Sequence, residues 1–128
     1  MRRGIFIVGG IAIVLMVFVF LYRYAVGSPY LITAEEAQHR LKQKQFDVVL
    51  DVRTTVERNM LGYYPGSVHI QGADLEAEIP RRYVDKETRF LIYCNTGQRA
   101  RAATEKLVAL GYRNVRYIAG SYGGLLNS

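Results

Sequence analysis

A single cysteine, Cys94, ends a short apolar run and opens the polar loop Cys94-Asn95-Thr96-Gly97-Gln98-Arg99. Those residue types in that order suit a sulfur nucleophile. A strand stopping at Cys94 and a helix starting near Gly97 leave a tight turn. Its amides, with the free N–H groups of the helix's first turn, can converge on the sulfur and stabilise an anion there. The thiolate is the reactive form of cysteine, and a helix N-terminus is one of the settings that favour it. Gly97 lets the backbone turn without a Cβ clash. Arg99 adds a fixed positive charge at the rim, suited to an oxyanion. The competing reading is a packing residue, because free cysteine is among the most buried side chains. One thiol forms no intramolecular disulfide, and it has no resolving cysteine for a redox couple.

The elements that must position this loop follow from apolar patterning. "LITAEEAQHRLKQKQ" starts extended at Tyr30–Ile32 and turns helical at Thr33, where Thr33 and Glu36 have capping-box spacing. "FDVVLDV", "SVHI", "TRFLIYC" and "VRYIAG" are short β-branched or aromatic runs that read as buried strands. Between them lie a short helix or turn in "RTTVERNML", a breaker loop "GYYPG", and a helix in "GADLEAEIPRRY" that Pro80 disturbs or ends. "GQRARAATEKLVALGY" is the clearest helix, with Ala103, Leu107 and Leu110 on one face and Gly111 as its stop. With Tyr30–Ile32 counted, five strands alternate with helices. That order predicts an α/β fold with a parallel five-stranded sheet covered on both faces, and ligands beyond the carboxyl ends of the strands. Cys94 lies at such an end.

Residues 4–22 carry no charge. As a helix they span roughly 28 Å, close to the hydrocarbon thickness of a bilayer. With Arg2 and Arg3 before and Arg23 after, residues 1–24 read as a single-pass anchor in contact with lipid, 25–29 as a linker and 30–128 as the folded domain. A cleaved signal peptide is the alternative, since Ala25 and Gly27 have the spacing of a cleavage site, although the apolar core is longer than such peptides need. A core helix apolar on every face is a poor fit to so small a domain. The basic start of the chain favours an extracytoplasmic domain.

The net charge of +6 overstates the domain's basicity, because residues 30–128 hold fourteen basic against eleven acidic side chains. That balance points away from nucleic acid. No histidine or cysteine cluster has metal-ligand spacing and no glycine-rich nucleotide motif is present, so no metal or other cofactor is expected. His39 reads as a surface helix residue and His69 as structural.

From Leu31 to about Gly120 the chain resembles a single-domain rhodanese, a sulfurtransferase module. "DVVLDVRTTVE" (47–57) is similar to the family's strand ending in D-V-R, and "YPGSVHI" (64–70) to its P-G-A/S turn. "CNTGQRARAATEKLVALGYRNVRYIAG" (94–120) is similar to its C-x-x-G-x-R loop, helix and G-Y-x-N-V. The resemblance implies that Cys94 takes sulfane sulfur from a small donor as a persulfide and passes it to a thiophilic acceptor, small or protein. It implies that the amides of Asn95, Thr96, Gly97, Gln98 and Arg99 cradle the charged sulfur, and that Arg99 orients loop or donor. It makes Asp51 and Arg53 organisers of the active-site edge; their plainer reading is a strand-end ion pair. Glu57 is a candidate partner for a loop arginine. Where many members have a histidine, this chain has Tyr63.

Two other functions stay open. One is a non-catalytic binding or scaffolding module at the membrane. The other is a cysteine-dependent phosphatase or arsenate reductase. Those enzymes resemble a C-x5-R loop, whereas here Arg99 closes a six-residue loop, Ala100 takes the seventh position and Arg101 falls one place later.

Overall fold

Strand residues alternate between two cores, and this makes the layers. In β3 (Arg89–Tyr93), Phe90 and Ile92 enter one apolar cluster while Leu91 and Tyr93 enter another on the opposite side. Neighbouring side chains of a strand point to opposite faces, so a run without polar interruption is read as covered twice. The computed structural model describes residues 2–126. Met1, Asn127 and Ser128 lie outside the described residues.

β1 (Val48–Asp51), β2 (Val68–His69), β3 and β4 (Asn114–Tyr117) form one parallel sheet in the order β2-β1-β3-β4. Leu50 pairs with Val68 and Ile92, and Ile92 in turn with Tyr117. The sheet therefore has four strands, not five. The expected strand at Tyr30–Ile32 is reduced to a single parallel bridge, Leu31 to Tyr117, held by Ile32 N–H to the Tyr117 carbonyl (3.0 Å) and Tyr117 N–H to the Tyr30 carbonyl (3.2 Å). It has no room to lengthen, because a turn at Ser28–Leu31 precedes it and Thr33 caps a helix directly after it.

The first helix, α1 (Arg2–Val26), has no buried residue in its apolar window and is long and apolar enough to cross a membrane. In α2 (Ala34–Lys42), Thr33 accepts the Glu36 N–H at 3.1 Å, but the Glu36 carboxylate turns to Arg40 at 2.9 Å. The expected capping box is thus only half formed there. The two-way box sits instead at α3 (Thr55–Leu61), between Thr54 and Glu57. α4 (Leu75–Arg82) runs through Pro80 and stops two residues later. α5 (Gln98–Ala109) buries Ala103 and Leu107 against the sheet, with Leu110 partly buried beside them, and Gly111 ends it at φ +99°. α4 and α5 contribute to the core on one face; α2 and the 3₁₀ turn Tyr122–Leu125 contribute to the core on the other.

Strand order reverses between β1 and β3, since β1 leads outward to β2 while β3 leads to β4 on the other side. Such a switch opens a crevice at the carboxyl ends of the strands. The segments Asp51–Arg53 and Tyr93–Cys94 leave the sheet there, side by side.

Candidate active site

Cys94 follows β3 directly and is 1% exposed. Its Sγ accepts the Gly97 N–H at 3.1 Å. That contact needs the backbone to reverse within three residues, and Gly97 does so at φ +107°, ψ −18° as the N-cap of α5. Of the amides expected to cradle the sulfur, Gly97's is the one seen bonded to it. Asn95 and Gln98 are half-buried and Thr96 and Arg99 exposed, so the loop presents a polar rim above a buried thiol. The Thr96 hydroxyl donates to Gln98 Oε1 across that rim.

Arg99 is not a free charge. Its Nη1 and Nη2 each donate to one oxygen of Glu57 at 2.7 Å, a fork-on-fork pair. Glu57 is itself fixed by the capping box, taking the Thr54 hydroxyl at 2.9 Å and backbone N–H at 3.3 Å. Asn95 Nδ2 also donates to Glu57, at 2.6 Å. The Arg99 hydrogen bonds, against the opposing pull of burial, hold the Glu57 carboxyl at about 2. The same pairing raises Arg99 above its ordinary value.

Asp51 and Arg53 lie beneath the rim, 0% and 1% exposed. Arg53 Nε and Nη2 grip the two Asp51 oxygens at 3.0 and 2.9 Å, and Nη2 also reaches the Gly62 carbonyl at 2.6 Å. Asp51 further accepts Arg58 Nη1 at 3.1 Å and the Tyr93 hydroxyl at 3.0 Å. Burial by itself raises the Asp51 carboxyl, but the hydrogen bonds from Arg53 and Tyr93 outweigh it and hold the group below the usual carboxylate range. Arg53 Nη1 donates to Asn95 Oδ1 at 3.2 Å. The buried pair is thereby tied through Asn95 and Glu57 to Arg99. Asp51 and Arg53 are thus an ion pair, hydrogen-bonded to the loop at Asn95.

His69 Nε2–H donates to the Arg53 carbonyl at 2.6 Å. Tyr63 packs against the Arg58 guanidinium, 3.9 Å from the ring centroid. Among the described residues no group of acidic, histidine or cysteine side chains could hold a metal. Two contributors escape the sequence reading. One is Arg58, which shares Asp51 and donates to Ser67 Oγ at 3.0 Å. The other is the end of α1, where Ala25 is 1% exposed, and the Cβ of Ala25 is 3.2 Å from where a Cβ on Gly97 would stand. The Thr54-x-x-Glu57 spacing was a legible sign of where Glu57 is held.

The profile of the family described as "Rhodanese-like domain" matches residues 33–128. Among solved structures, a human single-domain sulfurtransferase is 25% identical, with TM-score 0.63, over 76% of this chain and 95% of that one. A Rhodopseudomonas palustris protein described as a possible tyrosine phosphatase is also 25% identical, with TM-score 0.69, over 82% of this chain and 85% of that one. A thiosulfate sulfurtransferase from Pseudomonas aeruginosa is 26% identical with TM-score 0.64, over 73% of this chain but only 18% of its own length. No curated protein matches. A parallel sheet with a cysteine loop at its carboxyl edge, matched by the family profile over three quarters of the sequence, settles the family: the chain belongs to the rhodanese-like domain family.

Proposed function

We propose that the protein is a membrane-anchored sulfurtransferase working through a Cys94 persulfide. The observation that carries this reading is the Cys94 sulfur, buried at a strand end and bonded by the Gly97 N–H inside a six-residue loop. The Cys94 thiolate attacks the sulfane sulfur of a donor such as thiosulfate or a persulfide. One S–S bond forms and the donor's S–S bond breaks, so the remainder leaves with the electron pair. An acceptor thiolate then attacks the outer sulfur, and Cys94 departs as thiolate. No oxidant is consumed, and the two half-reactions predict ping-pong kinetics. Asn95, Thr96, Gly97, Gln98 and Arg99 form the loop that holds the charged sulfur, and Asp51 and Arg53 support it from below.

Residues 4–22 act as the anchor. Ala25 is buried in the domain and its carbonyl accepts the Tyr117 hydroxyl at 2.5 Å, so cleavage near Gly27 would strip away a packed residue. This supports an uncleaved anchor over a signal peptide. The basic Arg2-Arg3 start favours the domain on the extracytoplasmic side.

The test is mass spectrometry of the full chain after donor treatment. The expected result is a gain of one sulfur atom, absent in Cys94→Ser. An unmodified thiol under excess donor would overturn the reading. The neighbour described as a possible tyrosine phosphatase motivates a phosphatase alternative. The short loop disfavours it, and steady turnover of an aryl phosphate would favour it instead.

Donor choice gives a second prediction. With Glu57 neutralising Arg99, a dianionic donor meets little free positive charge. Glu57→Gln leaves Arg99 unpaired, so KM for thiosulfate should fall about threefold, the size expected for an exposed charge pair. KM for an uncharged organic trisulfide should stay level. Equal changes for both donors would mean that Glu57 acts only as a brace.

A further inference from the structure

The last turn of α1 is docked, not hanging from a loose tether. Gln98 Nε2 reaches the Leu21 carbonyl at 3.4 Å, Arg101 Nη1 the Tyr24 carbonyl at 2.5 Å, and the Tyr117 hydroxyl the Ala25 carbonyl at 2.5 Å. The Arg101 guanidinium also stacks on Tyr24, 4.1 Å from the ring centroid. These contacts set a direction. Residue 21 lies against 98 and residue 24 against 101, so α1 and α5 run the same way for one turn. Residues 3–20 of α1, all exposed, must project past the N-terminus of α5. That is the edge of the sheet that carries the Cys94 loop.

A second feature marks the same edge. α3 follows β1 at its carboxyl end and buries none of its residues. With the loop after it, α3 exposes Val56, Met60, Leu61 and Tyr63 at 65%, 79%, 58% and 48%. Val56 and Met60 share a helix face at the i, i+4 spacing, and exposed apolar side chains so placed suit contact with a partner or a membrane.

The apolar span closes at Tyr22, one residue past the Leu21 that touches Gln98. Gln98 stands four positions after Cys94, a reach of at most about 14 Å. The headgroup layer is roughly 5–8 Å deep on each side of the hydrocarbon. A folded partner of about 100 residues has a radius of gyration near 13 Å and so does not fit between this edge and the bilayer.

Resting on the sulfurtransferase and anchor readings, we propose that the catalytic edge faces the bilayer and that the sulfur acceptor is a cysteine of a membrane-embedded protein, presented at headgroup level. Its thiolate attacks the outer sulfur of the Cys94 persulfide. The Cys94–sulfur bond breaks and Cys94 leaves as thiolate. The neutral polar rim of Asn95, Thr96 and Gln98, with Arg99 already paired, suits a peptide cysteine better than a small dianion.

Orientation is tested without sulfur chemistry. In the full chain carrying Cys94→Ser, reconstituted in phosphatidylcholine vesicles, a bimane label is placed at Thr96→Cys, Met60→Cys or Val84→Cys. Val84 is 82% exposed on the segment that enters β3, at the opposite edge. Nitroxide-headgroup lipid should quench the Thr96 and Met60 labels at least twofold more than the Val84 label. Ten Gly/Ser residues inserted between Tyr22 and Arg23 should erase that difference. Equal quenching, or stronger quenching at Val84, would overturn the orientation.

The acceptor is tested with the chain first loaded by polysulfide. It is offered a transmembrane peptide whose cysteine lies just outside the apolar stretch, or one displaced by ten prolines, about 31 Å. Transfer should be about tenfold faster to the near cysteine. Equal or faster transfer to the displaced cysteine overturns the acceptor. Failure of Cys94 to load would overturn the sulfurtransferase reading and the acceptor together, while quenching still decides the orientation.

Discussion

Asp51→Ala should unfold much of the purified protein at temperatures that leave the parent chain intact. The substitution leaves the Arg53 guanidinium, 1% exposed, with neither of its carboxylate bonds. It also removes an acceptor from Arg58 and from the Tyr93 hydroxyl. Breaking one side of a buried pair costs about 3–5 kcal/mol, because a charge remains out of water without its partner. In a domain of roughly 100 residues that corresponds to a melting temperature at least ~12 °C lower. The ten tyrosines report it through near-ultraviolet circular dichroism, with no tryptophan to obscure the band. A shift below about 3 °C would show that the pair is hydrated. Acid gives an independent check. The folded Asp51 carboxyl is held below its ordinary value, so its stabilising contribution is complete above the unfolded value of 3.8 and is lost as pH falls toward the lower folded one. Glu57 behaves likewise between 4.5 and about 2. The acid limb of stability should therefore lie below pH 4.5, and Asp51→Asn should flatten it.

The contrast between Asp51 and the end of α1 shows what a sequence can carry. The parallel sheet was legible because β1, β3 and β4 are dense in apolar and aromatic residues and separated by helix-sized intervals. The loop was legible because a strand, a glycine and a helix start leave one way to close. The fifth strand was overcounted since Tyr30–Ile32 has strand-like residues but is bounded by a turn and a cap, and residue type does not reveal the space for a ladder. The Thr-x-x-Glu spacing occurs at both Thr33 and Thr54, and only tertiary competition separates them: Glu36 finds Arg40, whereas Glu57 stays with Thr54 and gains Arg99. Arg58 joining Asp51, and Ala25 packing over Gly97, are meetings of distant residues that leave no local pattern.

Gly97→Ala should slow sulfur uptake at Cys94 at least tenfold, and the reason lies at that same meeting point. The residue holds φ +107°, a conformation that L side chains rarely adopt, costing roughly 1–2 kcal/mol in backbone energy alone. Space is lacking as well. A Cβ there would stand 2.8 Å from the Ala119 Cα, 3.0 Å from the Ala119 Cβ and 3.2 Å from the Ala25 Cβ. Two of these belong to the segment after β4 and one to the docked end of α1, so relief means moving the loop. Its cheapest movement turns the residue 97 N–H away from the sulfur, removing the bond seen at 3.1 Å. A lost hydrogen bond to a charged group is worth about 1.5–3 kcal/mol, or some 10- to 150-fold in the rate of persulfide formation. The global fold should suffer less, since α5 and the sheet keep their core. The expected pattern is a fall in melting temperature of several degrees beside a rate loss of at least tenfold. The double variant Gly97→Ala with Ala25→Gly separates crowding from backbone strain. It removes the Ala25 contact while leaving Ala119 and the positive φ in place, so it should recover part of the stability and little of the rate. Full recovery of both would place the cost in the α1 contact alone, and an unchanged rate in Gly97→Ala would show that the amide does not serve the sulfur.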